Sequence, residues 1–301
     1  MTTIPEQMPY SFQEVLQCKT ITETQLNNDF KSLQNFDGLT NPRKFCGNKI
    51  LYNYQMKNLL ECRREGKKWK KLSEWFMDPV LKEKLWKDTI KRNRRKNAIY
   101  PSPIDVYECH RLNNGSIVFF KASTAKYIYK MFSAKNVLDP TAGWGGRMLA
   151  ASSLDIKYTG YDTNINMKEA YNNMEKDGFS SDKQKMIWED CLTADFTKVD
   201  PDLVLTSPPY ANLELYQHME GWTNDDDFYK SFMIPLLNKL FTETKCPICI
   251  NVSPKMYRTM ITKYDIPKCD GKVDLRQQLG GKKFKGESQD YIYIWNMIYA
   301  N

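Results

Sequence analysis

From residue 104 to residue 209 the sequence alternates short apolar runs with stretches of helical spacing, and this restricts the fold more than any other feature. A short apolar run bounded by turn residues suits a strand buried on both faces. An amphipathic stretch after each run suits a crossover helix. Residues 116–120, 136–138, 158–161, 186–188 and 202–205 are the expected strands. Residues 124–132, capped by Ser123, 146–152 and 165–177 are the expected helices. A further helix is expected at 228–240 and further strands at 247–252 and 290–298, with the Gly/Lys-rich stretch 271–286 read as loop. The pattern predicts the α/β class, a doubly wound, Rossmann-like sheet, preceded by a basic helical region.

That preceding region is where the charge lies. The 301 residues hold 44 Lys and Arg against 36 Asp and Glu, a net of +8. Residues 57–97 alone hold 15 basic and 6 acidic residues, a surplus of +9 that leaves the remainder at −1. A polyanion-binding face concentrates charge in this way; an even solvated surface does not. Arg63, Arg64, Lys67, Lys68, Lys70, Lys71, Arg92, Arg94 and Arg95 are therefore expected to contact phosphates, with Lys282 and Lys283 as a second contact. Trp69, Trp75 and Trp86, interleaved with them, are read as helical core. Leu72, Trp75 and Phe76 and then Leu81, Leu85 and Trp86 have helical spacing, with Ser73 as an expected cap and Pro79 between two helices. Tyr100-Pro101-Ser102-Pro103 marks an expected boundary between a helical domain, 1–103, and an α/β domain, 104–301.

No stretch approaches the roughly 18 unbroken apolar residues of a membrane helix. Residues 1–14 lack the basic and apolar segments of a secretory signal. The eight cysteines are expected as free thiols in a reducing, intracellular compartment. Cys246 and Cys249 have C-x-x-C spacing, but no second pair accompanies them and no metal is expected. Asp225, Asp226 and Asp227 read as an acidic helix start.

The segment from Asn136 to Arg147 reads as a strand, a glycine turn and a helix start. A dinucleotide fingerprint would need a third glycine where Met148 stands, so a nucleoside without a pyrophosphate suits the turn better. Asp139 would place a carboxylate at the strand end for a cationic amino group. Asp162, at the end of the next strand, is expected to accept from ribose hydroxyls. Asp190, with Cys191, ends the third and is expected to meet an exocyclic amine. The fourth strand runs into Thr206-Ser207-Pro208-Pro209-Tyr210. Two prolines fix the backbone so that the Ser207 hydroxyl and the Pro208 carbonyl can accept from one amine, and Tyr210 offers a flat face to a planar base.

Asp139-Pro140-x-x-Gly143-x-Gly145 followed by Ser207-Pro208-Pro209-Tyr210 resembles the S-adenosylmethionine and catalytic motifs of DNA methyltransferases that modify exocyclic amines. The similarity extends over about residues 119–252 and the last strand. It implies S-adenosyl-L-methionine as cofactor, with Asp139, Thr141, Gly143 and Gly145 around its methionine part, Asp162 at the ribose, and Asp190 and Cys191 at the adenine. It implies Ser207, Pro208, Pro209 and Tyr210 as the residues that hold the target base. The S-P-P-Y form is commoner among cytosine-N4 enzymes, so cytosine N4 in DNA is the expected target, with adenine N6 in DNA or a base amine in RNA as alternatives. Residues 119–124 fall where the family places a further cofactor-pocket motif. Thr141 stands where the family often has phenylalanine, and Trp144 is a candidate substitute. The family often carries a recognition domain after the last strand. Here that role is expected to fall to the N-terminal region and to the loops at 214–227 and 254–288. A protein-glutamine methyltransferase fits less well, since that group usually has asparagine at position 207. An inactive nucleic-acid-binding subunit fits poorly with the intact motifs.

Overall fold

The computed structural model describes residues 4–39, 45–63, 70–95, 100–113, 117–211, 221–275 and 291–300. The N-terminal helices are α1 (Phe12–Leu16), α2 (Glu23–Asn35), α3 (Asn48–Leu60), α4 (Leu72–Met77), α5 (Pro79–Arg95) and α6 (Pro103–Asn113). Then follow α7 (Ala122–Met131), β1 (Asn136–Asp139), α8 (Gly146–Ser153), β2 (Lys157–Tyr161), α9 (Lys168–Lys176), β3 (Gln184–Ile187) and β4 (Leu203–Thr206). The chain continues through α10 (Asp225–Phe228), α11 (Ile234–Glu243), β5 (Ile248–Val252), α12 (Pro254–Tyr264), β6 (Gly271–Asp274) and β7 (Tyr291–Trp295).

The strands form one sheet in the order β3-β2-β1-β4-β5-β7-β6. The five strands from β3 to β5 are parallel; β7 pairs antiparallel with β5, and β6 antiparallel with β7. The strand order turns back between β1 and β4, so the carboxyl ends of those two strands flank the crevice where such sheets bind ligands. β1, β4 and β5 are buried almost throughout, as strands covered on both faces must be. This is the doubly wound α/β sheet that the alternation predicts.

Several local expectations are corrected. Residues 117–120 form no strand: the Phe119 ring packs at 4.7 Å on Tyr52 and 5.5 Å on Trp144, and among the described residues no ladder partner lies beside it. Ser123 lies inside α7 and is wholly buried; Lys121 occupies the cap position. α4 begins at Leu72, where the Glu74 carboxylate accepts from the Lys71 amide, while the Ser73 hydroxyl donates to Glu61. Residues 271–274, read as loop, are the edge strand β6. Pro79 does separate α4 from α5: Asp78 caps α5 by accepting from the amides of Val80 and Leu81.

One hydrophobic cluster runs from Val15, Leu51, Trp86 and Val106 through Leu149 to Leu203 and Ile292, so the helical region and one face of the sheet share a core. A second cluster, with Leu138, Val204, Phe228 and Leu237, fills the other face. The boundary expected at residue 103 falls at the first residue of α6, which packs on α5 and α1.

Candidate active site

The β1–α8 turn has the backbone its glycines allow. Gly143 and Gly145 sit at φ of +59° and +87°, the left-handed region that glycine enters without penalty. Asp139, before them, is corrected in role. It is fully buried and accepts from Arg147 Nε at 2.6 Å, Tyr158 Oη at 2.6 Å and Thr206 Oγ1 at 2.8 Å. Burial opposes the Arg147 charge, but the Asp139 carboxylate outweighs it and raises the guanidinium pKa further. Asp139 therefore faces inward as the hub of β1, β2, β4 and α8, and offers no open carboxylate to a ligand ammonium. Removing one partner of such a buried pair strands the other charge.

The same network joins the two motifs. Thr206 donates its proton to Asp139, so it accepts from the Thr141 hydroxyl at 2.6 Å and from the Thr141 amide at 3.2 Å. The glycine turn is thereby fastened to the residue before Ser207. Arg147 also donates to the Thr141 carbonyl, and its guanidinium lies 5.0 Å from the Phe120 ring centre, which brings the 117–120 segment over the turn.

Asp162, half-buried at the end of β2, accepts from the Gly143 amide and the Asn164 amide, each at 2.8 Å. Desolvation pushes its pKa up to about 6, against the pull of those two amides. Each carboxylate oxygen keeps a further acceptor site. Tyr171 donates to the Gly143 carbonyl at 2.7 Å and fixes the other side of the turn. Asp190 is exposed beyond β3, where its carboxylate accepts from the Leu192 amide at 2.9 Å. Cys191 follows with its side chain buried in the second core cluster, where burial pushes its thiol up to about 12. Trp144 is likewise buried, packed on Phe119.

The backbone of the turn is uncrowded at Gly143. A Cβ added at Gly143 would meet nothing nearer than the Thr141 carbonyl at 3.8 Å and the Arg147 guanidinium at 4.0 Å. With Asp139 neutralised by Arg147, Asp162 and Asp190 carry the acidic character of this sheet edge.

At the end of β4, Pro208 is buried and Ser207, Pro209 and Tyr210 are half-buried, with Tyr210 against the second core cluster. The Ser207 hydroxyl donates to Asn251 Oδ1 at 3.1 Å, and Asn251 Nδ2 donates to the Tyr291 carbonyl at 3.0 Å. The serine proton is thus directed into the protein and its lone pairs are left for a substrate donor. Asn251, Arg147 and Thr206 lie outside the site residues that the motifs mark. For Asn251 the signal was present: one polar residue in the apolar run Ile248-Cys249-Ile250-Asn251-Val252.

Of the expected phosphate contacts, Arg63, Lys70, Lys71 and Arg92 can be placed. The first three are half-buried, and Arg92 donates to the Glu108 carbonyl at 3.4 Å. Arg64, Lys67, Lys68, Lys282 and Lys283, with the side chains of Arg94 and Arg95, lie outside the described residues. Trp75 and Trp86 are buried core, and Trp86 Nε1 donates to the Pro5 carbonyl at 2.9 Å. Cys246 and Cys249 are buried free thiols. Among the described residues no helix is long and apolar enough to cross a membrane.

No family model matches the chain. No curated protein matches it by sequence. Solved structures do show likeness. An RNA methyltransferase from Salinibacter ruber, in complex with S-adenosyl-L-homocysteine, is 17% identical with a TM-score of 0.39, over 59% of this chain and 92% of that one. Precorrin 8w decarboxylase from Methanobacterium thermoautotrophicum is 13% identical with a TM-score of 0.40, over 59% and 91%. An rRNA methylase from Streptococcus thermophilus is 8% identical with a TM-score of 0.39, over 60% and 98%. The fold is a Rossmann-like, doubly wound α/β sheet.

Proposed function

We propose that this protein transfers a methyl group from S-adenosylmethionine to an exocyclic amine of a nucleic-acid base, with cytosine N4 in DNA as the first target. The observation that carries this reading is the direction of the Ser207 hydrogen bond: its proton goes to Asn251, so the hydroxyl serves as an acceptor. An exocyclic amine is a poor nucleophile because its lone pair is delocalised into the ring. Acceptors at Ser207 and the Pro208 carbonyl draw its N–H bonds towards tetrahedral geometry and free the lone pair. Tyr210 offsets part of the stacking lost when the base leaves its strand. The amine proton passes to water, since the serine is no strong base.

S-adenosylmethionine, when bound, supplies an electrophilic methyl group. Gly143 and Gly145 give it backbone access and Asp162 accepts from its ribose. Asp190 lies at the β3 end for its adenine. Rate enhancement comes from positioning and electrostatics.

The test is methyl transfer from labelled cofactor to DNA, RNA and protein, followed by nucleoside mass spectrometry. N4-methylcytosine in DNA is the expected product; N6-methyladenine, or label confined to RNA, moves the target while keeping the chemistry. Label only in protein sinks the reading. Ser207→Ala is expected to lower kcat by about 10²-fold with cofactor affinity unchanged. Full activity in that variant would remove the proposed role of the hydroxyl.

A further inference from the structure

A cavity of about 400 Å³ opens beyond the end of β5, at the start of α12 and the β6–β7 edge, apart from the glycine turn. Its size falls in the range of small-ligand sites. Pro254, Tyr257, Arg258, Lys272, Tyr291 and Tyr293 line it. Tyr257 and Tyr293 stack on one another, with ring centres 3.8 Å apart and planes 10° apart, which fixes Tyr257 as a rigid platform. Tyr291 is half-buried, and Lys272 Nζ lies 4.6 Å from its ring centre. Arg258 and Lys272 are exposed at the rim. Pro254, the first residue of the eleven-residue helix α12, closes one side of the same space. Rigid aromatic faces beside cations are what a nucleotide requires: a surface for the base and charge for the phosphate.

The position relative to Ser207 matters as much as the lining. Ser207 ends β4, and Asn251 on β5 joins its hydroxyl to the Tyr291 carbonyl on β7. Tyr291 therefore stands two strand spacings from the serine, about 10 Å. Neither sequence motif reaches this cavity, and neither the turn nor the target-base residues use it.

We infer that this cavity is a second nucleotide subsite, which holds a nucleotide flanking the target base in the same strand by stacking on tyrosine and pairing its phosphate with Arg258 and Lys272. The inference rests on the nucleic-acid reading above. It supplies a grip on a single strand next to the chemistry, distinct from the N-terminal basic region.

Binding of fluorescein-labelled dC and rC octamers, followed by anisotropy across a salt series without cofactor, tests it. The double variant Arg258→Ala/Lys272→Ala is expected to bind about ten-fold more weakly. Its log–log salt slope should fall by about 1.4, two contacts at roughly 0.7 each for a single strand. Tyr291→Leu keeps the backbone carbonyl that Asn251 uses, and is expected to weaken binding about ten-fold with the slope unchanged. Circular dichroism verifies that each variant is folded. Unchanged affinity and slope in the double variant would overturn the inference. So would unchanged affinity in Tyr291→Leu, or competition by inorganic polyphosphate as strong as that by oligonucleotide. The two readings fail separately. Binding that depends on Tyr291 without methyl transfer to any nucleic acid keeps the subsite and removes the activity. Methyl transfer with binding indifferent to all three side chains does the reverse.

Discussion

Asp162 shapes the glycine turn and, in the proposed reading, also serves the cofactor. Its two oxygens hold the amides of Gly143 and Asn164, and desolvation raises its pKa to about 6. Above pH 6 the group is a carboxylate with acceptor capacity left for hydroxyls. As the pH falls through 6 it takes a proton, and the charge that strengthens those hydrogen bonds is lost. Affinity for S-adenosylhomocysteine is therefore expected to be level from pH 7 to 8 and to decline from pH 6 to 5. Asp162→Asn should bind more weakly at pH 8 and show no such step. Titration calorimetry at four pH values decides this, and a wild-type profile without a step near 6 would count against the assignment. The neighbouring carboxylate behaves differently. Asp139 is enclosed by Arg147, Tyr158 and Thr206 and acts on the site only through the backbone it fixes. Both acids end a strand in the sequence, and only their packing separates the two roles.

At the level of elements, the parallel strands and crossover helices were legible because burial on both faces leaves continuous apolar runs. The edge was not: β6 is Gly-Lys-Val-Asp, short and polar, and pairs only with β7. The helix expected at 228–240 is interrupted by a π-helical turn, Tyr229–Met233, just before Pro235. Proline has no amide hydrogen to donate to the carbonyl four residues back, and the wider turn absorbs that gap. The candidate site was legible at its motif residues, where glycine and proline mark the backbone. The residues that support the motifs, Arg147, Thr206 and Asn251, carry no local signature beyond being polar inside apolar surroundings. Gly146 exposes another contact invisible in sequence: a Cβ there would lie 2.1 Å from the Phe120 carbonyl oxygen. Because that atom is backbone, the 117–120 segment would have to lift from α8. Gly146→Ala is expected to cost about 3 kcal/mol in chemical denaturation. Gly178→Ala, at φ of +81° with nothing within 4 Å, should cost only about 1 kcal/mol for the left-handed backbone. Equal losses in the two would show that the Phe120 contact does not constrain the turn.

For the whole molecule, the shared core ties the basic helical region to the α/β sheet, and His110 reports on that link. It is buried in α6, with Trp75 edge-on at 6.0 Å between ring centres and Nε2 3.4 Å from the Lys70 carbonyl oxygen. Desolvation pushes its pKa down to about 4, against 6.5 for an ordinary histidine. Above pH 6.5 the imidazole is neutral in both the folded and unfolded states, and stability does not depend on it. Between pH 6.5 and 4 the unfolded chain takes up a proton that the folded chain refuses, so stability is lost as the pH falls, by up to about 3 kcal/mol. Asp162 acts in the opposite direction, because its raised pKa favours the folded state between about 6 and 3.8. The informative quantity is therefore the difference between the wild type and His110→Gln, in which that loss should disappear. If the core is continuous from Val15 to Ile292, calorimetry should show one cooperative transition whose midpoint falls with pH in the wild type and falls less in the variant. A separate early transition sensitive to His110 would mean that the helical region melts alone, and that the proposed nucleic-acid grip is not rigidly coupled to the proposed methyl-transfer site.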